Sequence, residues 1–475
     1  MDKLSPHVPG GNVSVEARDP QFLPLPPDVP MSWRSRVRAV QRYHTGIEQI
    51  RDAGGPVTTV RLGPRRLVPS FVIVASPTGA RDVLGGTNDG MDKEMIVHVQ
   101  SRAFGTNVFN MPHETWKSRR RTLQPLFTKK HVATFAGHMA TAADGLATRW
   151  VNGSTVDLDA EVRELTLRVI GRSVFGVDLG ERHEIGENAR TVLQYVTNRS
   201  LRPVRAPLWL PNPTRRRFRR ALAAIHAVID DAIGQFRADP ESAAELIRLL
   251  AEATDAATGR PLTDAAIRDE LLVFLIAGHD TTSTTLAYAL WALGRNAEMQ
   301  ERVAAEVQEL GERPLSVDDV AALPYTTQVL HEALRLCPPA PAIGRMAMKD
   351  VVVDGYRVPA GTNLVVGIYA LHRDPELWDD PYRFDPDRFA AERSHGRDRW
   401  QFLPFGGGPR SCIGDHFAML EAVLGLASVV RSAEIVSLDE DFPLALPFTM
   451  VAGGPIRARV RARVPSRSVH SLSDR

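Results

Sequence analysis

The chain has 475 residues, of which 43% are hydrophobic and 24% are charged, and this is the ordinary composition of a folded globular protein. Its formal net charge of +2 argues neither for nor against nucleic acid, and we expect no nucleic-acid partner. Its two cysteines give no disulfide framework and suit a reducing cytoplasm. No apolar run is long enough to span a membrane, and residues 1–11 carry no signal-peptide core. We therefore expect a cytoplasmic protein, and we take it to be a monomer.

We interpret the chain as one large domain with two appended ends. Residues 1–30 are rich in proline and predict an extended N-terminal segment. Residues 31–464 contain no Ser/Gly-rich or charged linker, so they predict a single, mostly helical domain. Residues 465–475 predict a disordered tail.

The first third of this domain predicts a helix, a hairpin and then a basic helix. We expect a helix over about residues 33–51 and two short strands over residues 57–61 and 67–74. Trp116 and Arg120 lie four residues apart, which places them on one face of a predicted helix. Further basic side chains on and after this helix predict a solvated surface: Arg119, Arg121, Lys129 and Lys130.

The longest predicted helix has an unusual centre. It begins with Thr263 as its N-cap, carries Asp264 in its first turn and runs to about residue 293. Its middle reads Ala277-Gly278-His279-Asp280-Thr281-Thr282, where a glycine adjoins side chains that compete for backbone hydrogen bonds. This pattern predicts a widened or kinked turn, of the kind often found at functional sites.

Three later segments carry clear local patterns. Glu332 and Arg335 lie one turn apart on a helix predicted over residues 325–336, which predicts an ion pair. Asp354-Gly355 predicts the turn of a hairpin. Residues 457–464 alternate strictly and predict an exposed edge strand, whose arginines would oppose aggregation.

The most distinctive segment is Phe405–Gly414, which reads FGGGPRSCIG. Cys412 lies between a glycine-rich loop and a helix predicted to follow, and both the backbone N–H groups and the helix dipole favour its thiolate. The glycines let a flat ligand approach the backbone, Phe405 would cover it, and Arg410 would neutralise an acid on its edge. A haem, with an axial iron site and two propionates, fits this description. A buried structural cysteine would otherwise be the default interpretation, and it is the one we give Cys337.

These patterns resemble the motifs of the cytochrome P-450 superfamily. The segment ending at Gly414 matches its haem-binding motif F-x-x-G-x-R-x-C-x-G, and residues 277–281 match its oxygen-activation motif A-G-x-D/E-T. Its W-x-x-x-R motif is present at Trp116. Its E-x-x-R motif is present at Glu332, and residues 384–389 match its P-E-R-F segment with Asp in place of Glu.

The resemblance covers about residues 30–464 and implies a mainly α fold with small β-sheets. It places haem b between the long central helix and the helix after the cysteine loop, with the Cys412 thiolate as the iron ligand. It gives Asp280 and Thr281 the roles of the pair that delivers protons during oxygen activation. The implied cofactor contacts are Trp116, Arg120, Arg345, Phe405, Arg410, Cys412 and Gly414. The implied structural network, which would lock the cysteine loop, consists of Glu332, Arg335 and Arg388.

The implied substrate pocket is apolar, which predicts a hydrophobic organic substrate. Residues 209–216 are similar to branches of the family that oxidise fatty acids or terpenes, and sterols and polyketides are further alternatives. The residues implied to line the pocket are Ile96, Phe104, Phe109, Phe274, Ala277, Ala340, Ile343 and Phe448.

The resemblance implies a haem-thiolate monooxygenase that inserts one oxygen atom of O2 into its substrate. Because no flavin or ferredoxin domain follows Cys412, electrons would come from a separate ferredoxin and its NAD(P)H-dependent reductase. An acidic ferredoxin would dock on the basic surface named above. Two alternatives are a peroxide-driven peroxygenase and a non-catalytic haem or ligand-binding protein on the same fold. The intact pair Asp280–Thr281 favours the monooxygenase over both.

Overall fold

Helices form most of the structure, a computed structural model that describes residues 22–64, 70–86, 90–93, 104–150, 152–180, 182–201, 212–241 and 244–463. Three 3₁₀ turns (Gln124–Phe127, Val317–Ala322 and Pro386–Phe389) and one π turn (Gly171–Phe175) accompany the α-helices of these residues. The α-helices, in chain order, are α1 (Trp33–Arg42), α2 (His44–Gly54), α3 (Pro77–Leu84), α4 (His113–Leu123), α5 (Lys129–Ala133), α6 (Ala136–Arg149), α7 (Leu158–Ile170), α8 (His183–Leu201), α9 (Pro213–Ala238), α10 (Glu245–Glu252), α11 (Asp264–Gly294), α12 (Ala297–Gln308), α13 (Pro324–Leu336), α14 (Ile368–Leu371), α15 (Ala391–Ser394) and α16 (Asp415–Ser432).

The strands form small, separate sheets. One sheet has five strands in the order β1-β2-β8-β5-β3, one has three in the order β4-β12-β9, and β6-β7 and β10-β11 are two-stranded. In the largest sheet, β2 and β8 are parallel and the other neighbours are antiparallel. The strands are β1 (Val57–Val60), β2 (Phe71–Val74), β3 (Met91–Asp92), β4 (Thr155–Asp157), β5 (Ile343–Ala347), β6 (Val351–Val353), β7 (Tyr356–Val358), β8 (Asn363–Val366), β9 (Ala433–Ser437), β10 (Leu444–Ala445), β11 (Val451–Ala452) and β12 (Arg457–Ala462).

Helix α11 lies at the centre of the helical part, and most of its residues are buried. It packs against α7 and α16, and α16 packs in turn against α6. As predicted, Thr263 caps its first turn by accepting a hydrogen bond from Ala266 N at 3.2 Å. This arrangement confirms a mainly α fold with small sheets and places the middle of α11 beside the helix that follows the cysteine loop.

The predicted widening of the central helix is wrong, because α11 is a regular α-helix throughout Asp264–Gly294. The hydroxyl groups of Thr281, Thr284 and Thr285 each donate to the carbonyl oxygen four residues earlier, so they bond within the helix instead of interrupting it. The π turn at Gly171–Phe175 extends the neighbouring helix α7 instead. Competition by the side chains for backbone hydrogen bonds therefore did not widen α11.

The predicted helix over residues 33–51 is divided into α1 and α2. The break is at Tyr43, which has a positive φ of 46°. Gly46 comes so close to the first helix that a Cβ at this position would lie 1.7 Å from the carbonyl oxygen of Ala39. The turn that brings the two helices together depends on this contact, which no helical periodicity indicates.

The strand predicted over residues 457–464 is not an edge strand. It is the central strand β12, which pairs with β4 through Arg457–Arg459 and with β9 through Ala458–Ala462. Buried and exposed side chains alternate as predicted from Arg457 to Arg461, but Ala462 is exposed like Arg461. The alternation in a strand sequence indicates whether one or both faces are buried. It does not show whether the strand has a partner at each edge, because these partners come from distant parts of the chain.

Several local predictions are confirmed by the structure. Asp354 and Gly355 both have positive φ in the turn between β6 and β7, and β1 pairs with β2 as an antiparallel hairpin. Part of the proline-rich segment is extended along a sheet, where Val29 N donates to Thr59 O at 2.9 Å. Within the described residues, no helix has the length and apolarity needed to cross a membrane. The division into residues 1–30, 31–464 and 465–475 stays a prediction.

Candidate active site

A cavity of about 1510 Å³ lies between the middle of α11 and the cysteine loop. Ile96 and the segment of residues 209–211 lie outside the described residues, and Asp280 does not line the cavity. The cavity otherwise brings together the cofactor contacts and pocket residues implied by the sequence. They are Phe104, Phe109, Trp116, Arg120, Phe274, Ala277, Thr281, Ala340, Ile343, Arg345, Phe405, Arg410, Cys412, Gly414 and Phe448.

The cysteine loop has a fixed backbone. Cys412 N donates to Phe405 O at 2.9 Å, which closes the loop, and Gly406 and Gly408 both have a φ of 70°. A Cβ on Gly408 would lie 1.8 Å from the carbonyl oxygen of Leu84. Only glycine suits this position, because it combines a left-handed backbone with a close approach to α3. The loop therefore presents Cys412 to the cavity in a defined orientation.

Cys412 is open to the cavity and is otherwise enclosed by protein. Burial raises the pKa of its thiol above the ordinary value, although the Gly414 N–H, Arg120 and Lys93 act in the opposite direction. Desolvation therefore outweighs the N–H group and the two cations that favour the thiolate. A bound metal ion would reverse this balance, since a coordinating thiol loses its proton to the positive charge.

Four cationic side chains point at one edge of the cavity: Lys93, Arg120, Arg345 and Arg410. Burial and the neighbouring Arg410 lower the pKa of Arg345 to about 10. Burial also lowers the pKa of Lys93 well below its usual range, and Arg345 and Arg410 act in the same direction. Such a concentration of buried positive charge is unfavourable without anions. The edge is thus suited to a ligand that carries carboxylates.

Protein groups satisfy this charge only in part. Asp92 pairs with Arg410 at 3.0 Å, and Arg120 donates to Ser411 O at 3.0 Å. No ion pair within the described ranges neutralises Lys93, whose Nζ donates to Phe109 O at 3.1 Å. Lys93 and Asp92 were not predicted from the sequence, because they follow no motif and reach the site only through the pairing of β3 with β5.

Helix α11 presents Ala277, Gly278 and Thr281 to the cavity. Thr281 Oγ1 donates to Ala277 O at 2.8 Å, so its hydroxyl is held against the helix beside the open space. Ala277 is exposed to the cavity, whereas the neighbouring Ile276 is buried. The helix therefore offers a small, polar recess in an otherwise apolar wall.

Asp280 points away from the cavity into a buried ionic cluster. Its Oδ1 lies 3.2 Å from Arg163 Nη2 and 3.8 Å from Arg190 Nε. Asp159, which neighbours both arginines, has its pKa raised to about 7 by burial. His279 bonds through Nδ1 to Thr166 Oγ1 at 2.9 Å, and burial lowers its pKa. The structure thus places the carboxylate and the hydroxyl of the sequence motif in two different surroundings.

The three residues of the implied structural network lie together. Glu332 accepts from Arg335 Nε at 2.7 Å and lies 3.4 Å from Arg388 Nε. Arg335 also donates to His372 O at 2.7 Å, and His372 Nε2 accepts from Leu403 N at 2.9 Å. Burial and nearby arginines lower the pKa of His372 to about 3, which keeps this acceptor neutral. A continuous hydrogen-bonded chain therefore runs from α13 to the start of the cysteine loop.

One predicted solvated residue is buried instead. Arg119 pairs with Glu270 at 3.1 Å and with Asp255 at 3.4 Å, and 8% of its surface is exposed. The remaining basic residues of this surface are exposed as predicted: Arg121, Lys129 and Lys130. The sequence could not separate Arg119 from them, because its carboxylate partners lie more than a hundred residues away.

Comparison with known proteins gives a consistent result. The family described as Cytochrome P450 matches residues 23–455. Cyclooctat-9-en-7-ol 5-monooxygenase of Streptomyces melanosporofaciens is 32% identical over 79% of this chain and 82% of its own length. Cyclooctatin synthase of the same organism is 32% identical over 85% of this chain and 88% of its own. Pentalenene oxygenase of Streptomyces avermitilis is 31% identical, with coverages of 87% and 92%.

Proposed function

The chain belongs to the cytochrome P450 family and is a monooxygenase of that family, and on this premise we propose that Cys412 is its haem ligand and a terpene its substrate. The observation that carries the proposal is one cavity lined by Cys412, by Thr281 and by four cations. Haem, when bound, supplies the iron centre at which O2 is activated and one oxygen atom is inserted into the substrate.

The cavity fits haem in charge. The cations Lys93, Arg120, Arg345 and Arg410 exceed their one carboxylate partner, Asp92, and two propionates would neutralise most of the excess. Arg410 also lies over the Trp116 ring, with its Cζ 4.5 Å from the ring centroid. We therefore propose that these four cations bind the haem propionates.

The chain's own residues would control proton supply. Thr281 Oγ1 borders the cavity, where it can accept a hydrogen bond, or donate one by giving up its bond to Ala277 O, whereas Asp280 is held outside by Arg163 and Arg190. We assign to Asp280 the uptake of protons from this cluster and to Thr281 their donation to oxygen. This division of roles favours a monooxygenase that uses O2 over a peroxygenase or a passive binding protein.

The substrate is proposed from the pocket and from the relatives. The cavity wall around Phe104, Phe274, Ala340, Ile343 and Phe448 is apolar, which suits a hydrocarbon skeleton. The names of two relatives specify cyclooctat-9-en-7-ol and pentalenene. Of the alternatives considered, these names favour a terpene over a fatty acid, sterol or polyketide.

The electron donor is proposed to be a separate ferredoxin, reduced by an NAD(P)H-dependent reductase. The exposed side chains Arg121, Lys129 and Lys130 offer a positive surface to an acidic protein. We further propose that the enzyme is a cytoplasmic monomer.

The first test is a carbon monoxide difference spectrum of the reduced protein. Wild type and Cys337→Ala are expected to give the red-shifted band typical of a thiolate ligand, and Cys412→Ala is expected to lose it. Cys337 is a suitable control because it is the other cysteine and is fully buried in the core. A wild-type protein with a histidine-type band, or with none, would exclude the assignment of Cys412.

A turnover assay then separates the alternatives. Oxidation of NAD(P)H, coupled to added ferredoxin, reductase and candidate terpenes, is expected to yield a hydroxylated product. Turnover with hydrogen peroxide alone would support a peroxygenase, and tight spectral binding without product would support a ligand-binding protein.

A further inference from the structure

Residues 104–111 form a compact loop, here called the wall loop, which borders the cavity through Phe104, Val108 and Phe109. Two buried asparagines organise it. Asn107 Nδ2 donates to Phe104 O at 2.9 Å, and Asn110 Nδ2 donates to Gly105 O at 2.7 Å. The loop is therefore a rigid unit whose position is decided by what holds its outer side.

Its outer side is held by two consecutive carboxylates of α11. Asp269 Oδ2 accepts from Thr106 N at 2.7 Å, and both carboxylate oxygens of Glu270 accept from Val108 N at 3.1 Å. A Cβ on Gly105 would lie about 2.0 Å from Asp269 Oδ1, so the loop approaches the helix as closely as glycine permits. Phe274, one turn further along α11, lines the same cavity.

Glu270 also joins the wall loop to α4. It is completely buried, and Arg119 Nη1 donates to its Oε1 at 3.1 Å. Arg119 belongs to the helix that carries Trp116 and Arg120, and Met111 O, at the end of the wall loop, accepts from Arg410 at 3.1 Å. The Glu270 carboxylate thus connects the wall loop with α4, which carries residues of the cavity edge that we assign to the haem propionates.

We propose that Asp269, Glu270 and Arg119 act as a clamp that positions the wall loop and thereby sets the affinity and size selectivity of the cavity for hydrophobic ligands. The proposal rests on the proposed function only in taking this cavity as the substrate site. Glu270 is a positioning residue, since it does not line the cavity and acts through Val108.

The clamp carries a titratable charge. Burial raises the pKa of Glu270 to about 7, against the opposing effects of the Val108 N–H and Arg119. The charged groups that act on Glu270 directly are Arg119 from α4 and Asp269 from α11. Asp255 pairs with Arg119, and Arg268 of α11 and His226 of α9 act on Asp269. Burial lowers the pKa of His226. As the pH falls through about 7, Glu270 loses its charge and the ion pair with Arg119, so the clamp weakens.

The test compares a small and a large ligand of the haem iron in the holoenzyme. Imidazole is too small to depend on the wall, whereas 4-phenylimidazole extends towards it. Glu270→Gln is expected to weaken 4-phenylimidazole binding about tenfold and imidazole binding less than twofold. Asp264→Asn, which changes an exposed carboxylate of the same helix, is expected to change neither.

The pH dependence gives a second readout. After each dissociation constant is corrected for protonation of the free azole, the ratio of the 4-phenylimidazole constant to the imidazole constant is expected to rise in wild type as the pH falls from about 8 to about 6 and to stay constant in Glu270→Gln. A double-mutant cycle with Arg119→Gln should be non-additive, since the two groups form one contact. Equal weakening of both ligands, or a ratio that follows the pH in the variant as in wild type, would overturn the clamp.

Hydrogen exchange tests the clamp without any ligand or haem signal. The amides of Thr106 and Val108 are expected to exchange at least about tenfold faster in Glu270→Gln, and unchanged exchange would contradict the proposal. If this variant does not fold, Asp269→Asn serves the same test through Thr106. A wild-type protein that shows no azole shift would count against the proposed function alone, while the exchange result still decides the clamp.

Discussion

At the scale of single residues, the site is characterised by buried charge that the protein itself does not neutralise. Lys93 is the clearest case, because it is enclosed near Arg345 and Arg410 and its pKa is lowered well below the usual value. A lysine in such surroundings is unfavourable unless an anion joins it. We infer that its stabilising partner is the cofactor.

Replacing Lys93 tests this inference. Lys93→Gln is expected to raise the rate of haem transfer to an acceptor apoprotein about tenfold, because one charge-assisted hydrogen bond to a propionate is lost. Lys117→Gln, on the exposed side of α4, is the matched control and should leave the rate unchanged. Slower haem transfer in Lys93→Gln would show that the lysine opposes cofactor binding.

At the scale of elements, the important connection is between α13 and the cysteine loop. Glu332, Arg335 and Arg388 are almost completely buried, and Arg335 continues the contact through His372 to Leu403. None of these residues touches the cavity, and we interpret the network as a support that fixes the loop. Removing one member would leave buried charge without a partner.

Glu332→Gln is expected to lower the free energy of unfolding of the holoenzyme by about 3–5 kcal/mol and to reduce its haem content on purification. Asp387→Asn is the matched control, since it breaks an exposed pair with Arg302 and is expected to lower the same quantity by less than about 1 kcal/mol. Thermal unfolding of the two variants, monitored by haem absorbance, compares their stabilities with that of the wild type. Equal effects of the two substitutions would mean that the buried network has no special role.

At the scale of the whole molecule, an almost neutral chain carries exposed cations close together on α4 and α5. The formal net charge is +2, yet Arg121, Lys129 and Lys130 are exposed near one another in sequence on α4 and α5. A local positive surface of this kind increases the rate of encounter with an acidic protein without changing the fold.

Reversing two of these charges tests the proposed docking surface. The double variant Lys129→Glu, Lys130→Glu is expected to lower kcat/KM for an acidic ferredoxin about tenfold, with kcat at saturating ferredoxin unchanged. The difference should shrink at high salt, because exposed charges are screened. The double variant Arg459→Glu, Arg461→Glu, exposed on β12 in a separate sheet, changes the net charge by the same amount and is the control. Equal loss in both variants would place the effect in net charge, not in docking.

The sequence by itself determined the features that depend on neighbouring residues. The positive φ at Gly408 in the loop around Cys412 favours glycine, the cap of α11 needs Thr263, and Glu332 and Arg335 lie one turn apart, so each is recognisable within a few positions. Such local requirements can be recognised in any sequence that contains them. They were sufficient to predict the family and the mainly helical fold, while the cofactor contacts stay a prediction.

Only the tertiary structure decided which charges are buried and which strands are central. Arg119 and Arg121 are indistinguishable in the sequence, but Glu270 draws the first into the interior. Lys93 reaches the cavity through strand pairing, and β12 is enclosed by partners from both halves of the chain. The physical reason is that desolvation and strand pairing depend on groups far apart in the chain, whose positions no local pattern encodes.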